Sequence, residues 1–389
     1  MMRILFALTY YRPHISGLTN YAASLAEELV SRGHSVTVLT SRHDPGLPRA
    51  ELLQGVEIAR VPVAFHVGKG PVMRSYAKAA RTVLRDRHVV VVNLPASPSE
   101  TVLLPLLARR ARIPVIAISN CDLHLPPGFT NQCANLVGSG CDFVAGFLAH
   151  TVVTHSEDYG SSSPLVRAFS WKEKVILPAV RMALPDSGQA RALRHRVAPN
   201  GGPVIGVAAR LASEKGIEFL LEALPAIRAR VGDVKVVFSG DPTTVVGERA
   251  YWERLRPLLD RAGAACVFLG GVATSEMPAF YAACDLTVLP STNRTEAFGL
   301  VQLESMLCGT PVVASDSPGV RVPVTTTGMG RLALPRDATS LAEAISAVIE
   351  SRASYVKPRA EIASLFSFER MADQYEKLLG AAAHSSHGR

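Results

Sequence analysis

The stretch TEAFGLVQLESMLCGTPVVAS, Thr295 to Ser315, sets two acids, Glu296 and Glu304, on either side of Gly299, with an apolar strand-like run behind them. Leu300, Leu303 and Leu307 recur at helical spacing, so a helix beginning near Gly299 buries that stripe. Helix side chains lean toward the N-terminus, so Glu304 leans toward the end that carries Glu296 and the unpaired amides of Phe298 to Val301. Amides at a helix start suit an anion, and carboxylates accept hydrogen bonds from hydroxyl groups. Together they describe a site for a sugar joined to a phosphate. The plainer alternative makes Glu296 a helix-start acid and Glu304 a solvated surface residue.

A second candidate lies in GVAARLASEKGIEFLLEAL, where Arg210 follows a strand and Lys215 precedes a helix. Arg offers a planar fork and Lys a point charge, a combination that can grip a diphosphate. Glu214 could instead pair with one of them at the surface. Near the start, Gly17 stands just ahead of the first expected helix in YYRPHISGLTNYAASL. A glycine there lets a phosphate approach the backbone and the helix dipole, but the GxGxxG fingerprint is missing, and a turn glycine is an equal reading.

The elements that must position these residues repeat in a simple order. MRILFALTY, HSVTVLTS, RHVVVVNLP and PVIAIS read as short apolar strands, separated by segments such as TNYAASLAEELVSRG and TVLLPLLARRARI that read as helices. Such alternation implies βαβ units and a parallel sheet. Residues 181 to 202 turn polar and rich in proline and glycine, which marks a boundary, and the alternation then restarts, with one helix expected from Glu248 to Ala262. The expected organisation is residues 1–181, residues 182–365, and a closing segment 366–389 made of an amphipathic helix and a disordered tail, AAAHSSHGR. A chain of 389 residues is too long for one ordinary core, in keeping with two domains. Open parallel sheets bind ligands beyond the carboxyl ends of their strands, so two such domains facing each other would form a cleft.

Composition removes several function classes. The formal charge of +8 favours anionic partners, yet the basic residues are scattered, and no nucleic-acid recognition module appears. An anionic substrate or peripheral contact with a membrane surface remains open. No apolar run is long enough to cross a bilayer and no cleavage site follows MMRILFALTY, so a cytoplasmic location is expected. The six cysteines show neither CxxC pairs nor finger-like spacing, which predicts reduced, buried thiols and no metal site.

Taken in order, SGLTNYAASLAEELVSRGHSVTVLT, the Arg210 to Gly216 segment, the Glu296/Glu304 element and CGTPVVASDSPG resemble the family 4 retaining glycosyltransferases of the GT-B fold. The resemblance runs over nearly the whole chain. It implies two Rossmann-like doubly wound domains and a closing helix, beyond about residue 366, that crosses back to the N-terminal domain. Arg210 and Lys215 would neutralise the diphosphate of a UDP- or GDP-linked sugar, with Gly17 assisting from the other domain. Glu304 would bind the ribose, while Glu296 and the amides of Phe298, Gly299 and Leu300 would hold the donor sugar and its phosphate. The implied reaction is retaining hexosyl transfer, without metal or cofactor, to a hydroxyl of a small-molecule, lipid-linked or natural-product acceptor.

One position departs from the family pattern. In ISNCDLHLPPGFTN, relatives typically carry His where Asn120 stands, beside the reacting sugar carbon; His124 is close in sequence but need not substitute. Asn120 therefore joins Glu296, Arg210 and Lys215 as a candidate catalytic residue, and the acceptor would meet loops such as Pro62 to Arg74 and Leu123 to Asn131. A synthase using a sugar-phosphate acceptor and a catalytically silent nucleotide-sugar-binding partner are the rival readings.

Overall fold

A computed structural model describes residues 1–67, 70–124, 128–240 and 249–387. The chain forms two compact units, the first made of Met1–Pro178 with Phe368–Arg389 and the second of Ala179–Ser367.

In the first unit, strands β1 (Arg3–Ala7), β2 (Ser35–Arg42), β3 (Ala50–Leu53) and β4 (Val56–Pro62) are followed by a small hairpin, β5 (Phe65–Val67) and β6 (Gly70–Val72). Then come β7 (Val89–Leu94), β8 (Val115–Ser119), β9 (Thr151–Thr154) and β10 (Glu173–Val175). The main sheet runs β10-β9-β8-β7-β1-β2-β4-β3, parallel except for the antiparallel edge strand β3. Its central strands are apolar without alternation because helices cover both faces. Val89 to Leu94, for example, is buried throughout. Helix α1 (Gly17–Ser31) starts at Ser16, whose Oγ accepts from Thr19 N at 3.1 Å, and it buries Tyr21, Leu25, Ala26 and Leu29.

The second unit contains β11 (Val204–Val207), β12 (Lys235–Phe238), β13 (Cys266–Phe268), β14 (Leu286–Leu289), β15 (Val312–Ser315) and β16 (Gly330–Ala333). All are parallel in the order β13-β12-β11-β14-β15-β16. Counted within the unit this is 3-2-1-4-5-6, the doubly wound order whose ligand crevice opens between the first and fourth strands.

Several expectations change in detail. The polar stretch after residue 181 is not a bare linker: Asp186 accepts from Gly188 N and Gln189 N and starts a helix, Ser187–Val197, that Arg194 ties to Asp285 at 2.9 Å. The terminal segment is helical from Phe368 to His387, where a disordered tail was expected from Ala381. Alanine favours helix, and buried Leu379 and Ala383 anchor that last stretch. This helix belongs to the first unit, with Tyr375 Oη 2.8 Å from Tyr21 Oη and Arg32 bonded to Glu376 at 2.9 Å. Pro62 to Arg74 is not a plain loop but carries the β5–β6 hairpin. Cys133 is exposed, whereas Cys284 and Cys308 are buried, and none of the six cysteines is in a disulfide. The expected helix start at Glu248 and the prolines of the Leu123 to Asn131 loop lie outside the described residues.

Candidate active site

The crevice position in the second unit is framed by two connections, one leaving β11 and one leaving β14. Gly216, at φ +63°, lets them touch: a Cβ there would lie 2.2 Å from Pro290 O. Only glycine tolerates both that conformation and that approach. Thr292 N then donates to Glu214 O at 2.9 Å, so the loops are laced side by side. As a result Lys215, from the first loop, forms an ion pair with Glu296 from the second, with both side chains largely buried. Arg210 pairs with Glu214 at 3.3 Å and stays more than half exposed.

Past Glu296 the chain turns at Gly299, φ +77°, where a Cβ would lie 2.3 Å from Leu289 Cδ2. Helix α2 (Leu300–Leu307) follows; it is held by Gln302 Nε2, which donates to Phe298 O at 2.8 Å and Val320 O at 2.9 Å. The N–H groups of Phe298, Gly299 and Leu300 have no acceptor among the described residues. Two cations and three amides thus lie on the adjoining loops that leave β11 and β14, the cations partly balanced by Glu214 and Glu296. Such a set can receive a diphosphate by exchanging carboxylate partners for phosphate oxygens. Glu304 stands one turn further along α2, where its Oε2 accepts from Tyr281 Oη at 2.6 Å and not from any residue of this cluster. Burial pushes its carboxyl upward, against the Tyr281 hydrogen bond that pulls it down.

Gly17 and Asn120 belong to the first unit. Gly17 is the first residue of α1, and a Cβ there would meet nothing within 4 Å, so neither packing nor backbone conformation demands glycine. Asn120 directly follows β8. Its Nδ2 donates to Leu94 O at 3.1 Å and Ile118 O at 3.3 Å, which leaves Oδ1 to accept from His155 Nε2 at 3.2 Å. Burial pushes the His155 pKa down to about 4, so the imidazole is neutral near pH 7. His124 is exposed in the following loop.

Residues 16–201 match the model of the glycosyl transferase 4-like domain, and residues 190–363 match that of the glycosyl transferases group 1. The chain belongs to the family 4 glycosyltransferases. This family 4 glycosyltransferase is 27% identical, over 90% of both chains, to a GDP-mannose-dependent alpha-(1-6)-phosphatidylinositol monomannoside mannosyltransferase of Mycobacterium tuberculosis. It is also 27% identical to an alpha-monoglucosyldiacylglycerol synthase of Streptococcus pneumoniae, over 82% of this chain and 72% of that one. Among solved structures, Anabaena HepE in complex with UDP and glucose superposes with a TM-score of 0.77 at 22% identity, covering 98% of this glycosyltransferase and all of HepE. The fold is GT-B.

Two residues that touch candidate groups of this glycosyltransferase, and one buried acid that does not, escape a reading by sequence. Tyr281 looks like core in MPAFYAAC, yet its hydroxyl holds Glu304. His155 gives one signal, its place just beyond the carboxyl end of β9. Glu100 is fully buried, accepting from Thr9 Oγ1 at 2.6 Å and Ser97 N at 2.9 Å, and so ties the connections that leave β1 and β7. Among the described residues no cluster of His, Cys, Asp or Glu could hold a metal ion.

Proposed function

We propose that this glycosyltransferase moves a hexosyl group, with retention of configuration and without a metal, from a nucleotide-diphosphate sugar to a hydroxyl of a lipid-type acceptor. Lys215 and Arg210 bind the diphosphate together with the amides of Phe298, Gly299 and Leu300, and Glu296 holds the sugar. As the bond from the anomeric carbon to phosphate oxygen breaks, these donors stabilise the charge that collects on the leaving diphosphate. The acceptor oxygen bonds to the same face of the carbon, and its proton passes to the leaving phosphate. Glu304 accepts from the ribose hydroxyls.

The observation that carries this assignment is the pairing of Lys215 with Glu296 at the strand-order switch of the second unit. The names of the relatives favour GDP-mannose as donor and an acceptor built on a glycerolipid or phosphoinositide. A thermal-shift screen of GDP, UDP and their sugars tests the donor, because a ligand at about 100 times its dissociation constant stabilises by roughly 2.7 kcal/mol. The anomeric configuration of the product, read by NMR, tests retention, and turnover in EDTA tests metal independence. Activity lost in EDTA and restored by magnesium or manganese would reject that part.

Binding without transfer is favoured by one feature. The Asn120 amide, at the position where the family resemblance implies His, is engaged by Leu94, Ile118 and His155. Transfer by the parent chain, weakened in Asn120→Ala, supports the enzyme; nucleotide binding without turnover, with transfer gained only in Asn120→His, supports the silent binder.

A further inference from the structure

A surface helix ordinarily turns charge outward and hydrocarbon inward. The helix Phe129–Leu148 does the reverse. Its one charged residue, Asp142, is buried, while Leu136, Val137, Phe143, Val144 and Phe147 are exposed. Leu136 and Val137 recur as Phe143 and Val144 seven residues on, with Phe147 one turn further, so these side chains share one helix face, with Gly140 between the two groups. Leu136 is 77% exposed and Phe147 67%. Trp171, 75% exposed, extends the stripe: its ring lies 5.5 Å from that of Phe169, which is 6.0 Å from Phe143.

The helix cannot roll to hide this face, because its inner side is already fitted. A Cβ on Gly146 would lie 2.5 Å from Phe169 Cε2, and one on Gly138 would lie 2.4 Å from Leu123 Cδ2. The rim carries cations. Leu104–Arg110 packs along the helix and exposes Arg109 and Arg110, while Pro164–Ala168, also in contact, exposes Arg167. Between Thr101 and Ser156 the acids are Asp122 and the buried Asp142; Glu157, Asp158 and Glu173 follow on the segments next to Arg167 and Trp171. The first unit as a whole has 21 Lys and Arg against 15 Asp and Glu, which accounts for +6 of the net +8.

We propose that this face docks the chain on an anionic bilayer, with the stripe entering the acyl boundary and the arginines at the level of the headgroups. An apolar helix face flanked by cations is the form that binds in the plane of a charged membrane surface. Trp171 suits the interface, where its ring meets hydrocarbon and its N–H meets water. Contact is peripheral, since no helix among the described residues is long and apolar enough to cross a membrane. A second copy fits less well: a two-fold contact through the stripe would bring like arginine rims together.

The test uses the full chain and needs neither donor nor acceptor, so its result stands apart from the transfer reaction. Co-sedimentation is measured with vesicles of phosphatidylcholine and phosphatidylglycerol at seven to three, and with phosphatidylcholine alone. The parent should bind the anionic vesicles and lose most of that binding in 1 M salt. Phe143→Ser/Phe147→Ser and, separately, Leu136→Glu should weaken binding at least tenfold with unchanged thermal melting; Arg109→Gln/Arg110→Gln should narrow the gap between the two vesicle types. Should one apolar variant misfold, the other still decides. The proposal is overturned if the parent ignores anionic vesicles or a folded apolar variant binds as the parent does. It is also overturned if the parent is a dimer that the same substitutions split, which would assign the face to a second copy.

Discussion

Lys215 meets its counter-charge in Glu296, a residue 81 positions later, and in the proposed reaction its ammonium faces the charge that collects on a departing diphosphate. Lys215→Ala should therefore lower turnover by on the order of a hundredfold or more, the usual effect of losing one electrostatic donor to a transition state. A variant within twofold of the parent rate would remove Lys215 from that role. Glu304 should behave differently, since a ribose contact is equal in ground and transition states: Glu304→Gln should raise KM for the donor and leave kcat nearly unchanged. Steady-state kinetics separates the two, and a collapse in kcat at constant donor affinity would contradict the ribose contact. At this scale Arg210, Lys215 and Glu296 can be singled out in the sequence because they lie in the stretches that follow two apolar strands and lead to Gly216 and Gly299. Their pairing is not, for Glu214 competes on paper with Glu296 as partner, and only the fit of Gly216 against Pro290 O decides which acid reaches which cation. His155 and Tyr281 stay hidden for a related reason: each meets its partner across two elements, and neither forms a local pattern.

Among elements, the turn at Gly216 joins the two site loops, and Gly216→Ala should cost more than about 2 kcal/mol, because left-handed backbone and a backbone clash act together. Chemical denaturation monitored in the second unit checks this; a loss below about 0.5 kcal/mol would mean the loops part easily. In the first unit, burial raises the Asp142 carboxyl from 3.8 to about 8, with a hydrogen bond from the Ala96 backbone opposing and the Asp122 charge adding. The folded chain then binds this proton more tightly than the unfolded chain, so stability falls as pH rises between those two values. Asp142→Asn, which keeps an acceptor, should remove that slope and be relatively more stable than the parent at pH 8 than at pH 5. Parallel urea titrations of both proteins at the two pH values read it directly. Strands and most helices are legible from periodicity, because sheets covered on both faces leave unbroken apolar runs. The outward stripe of Phe129–Leu148 is not, since an apolar stripe in a sequence looks the same whether it meets a core or solvent.

Over the whole molecule, the closing helix Phe368–His387 completes the first unit, and Leu379 on it is fully buried. Leu379→Ala should cost the first unit about 2–5 kcal/mol, the range for deleting a buried leucine side chain. Calorimetry with and without GDP gives the check: the nucleotide should still stabilise the second unit of the variant, and loss of that response would mean the damage is not confined. The two-sheet plan is legible because the βα alternation stops and restarts near residue 181, while the helical run to His387 is not, its alanines and serines being as common in disordered tails as in helices. The return of the chain has a further consequence during synthesis. The second unit is contiguous, Ala179–Ser367, so all of it has left the ribosome before the final helix emerges. The first unit is begun first yet completed last. Until Phe368–His387 emerges, the ring of Tyr21 lacks its Tyr375 partner, so the nascent chain carries one finished lobe and one that, although older, is still open.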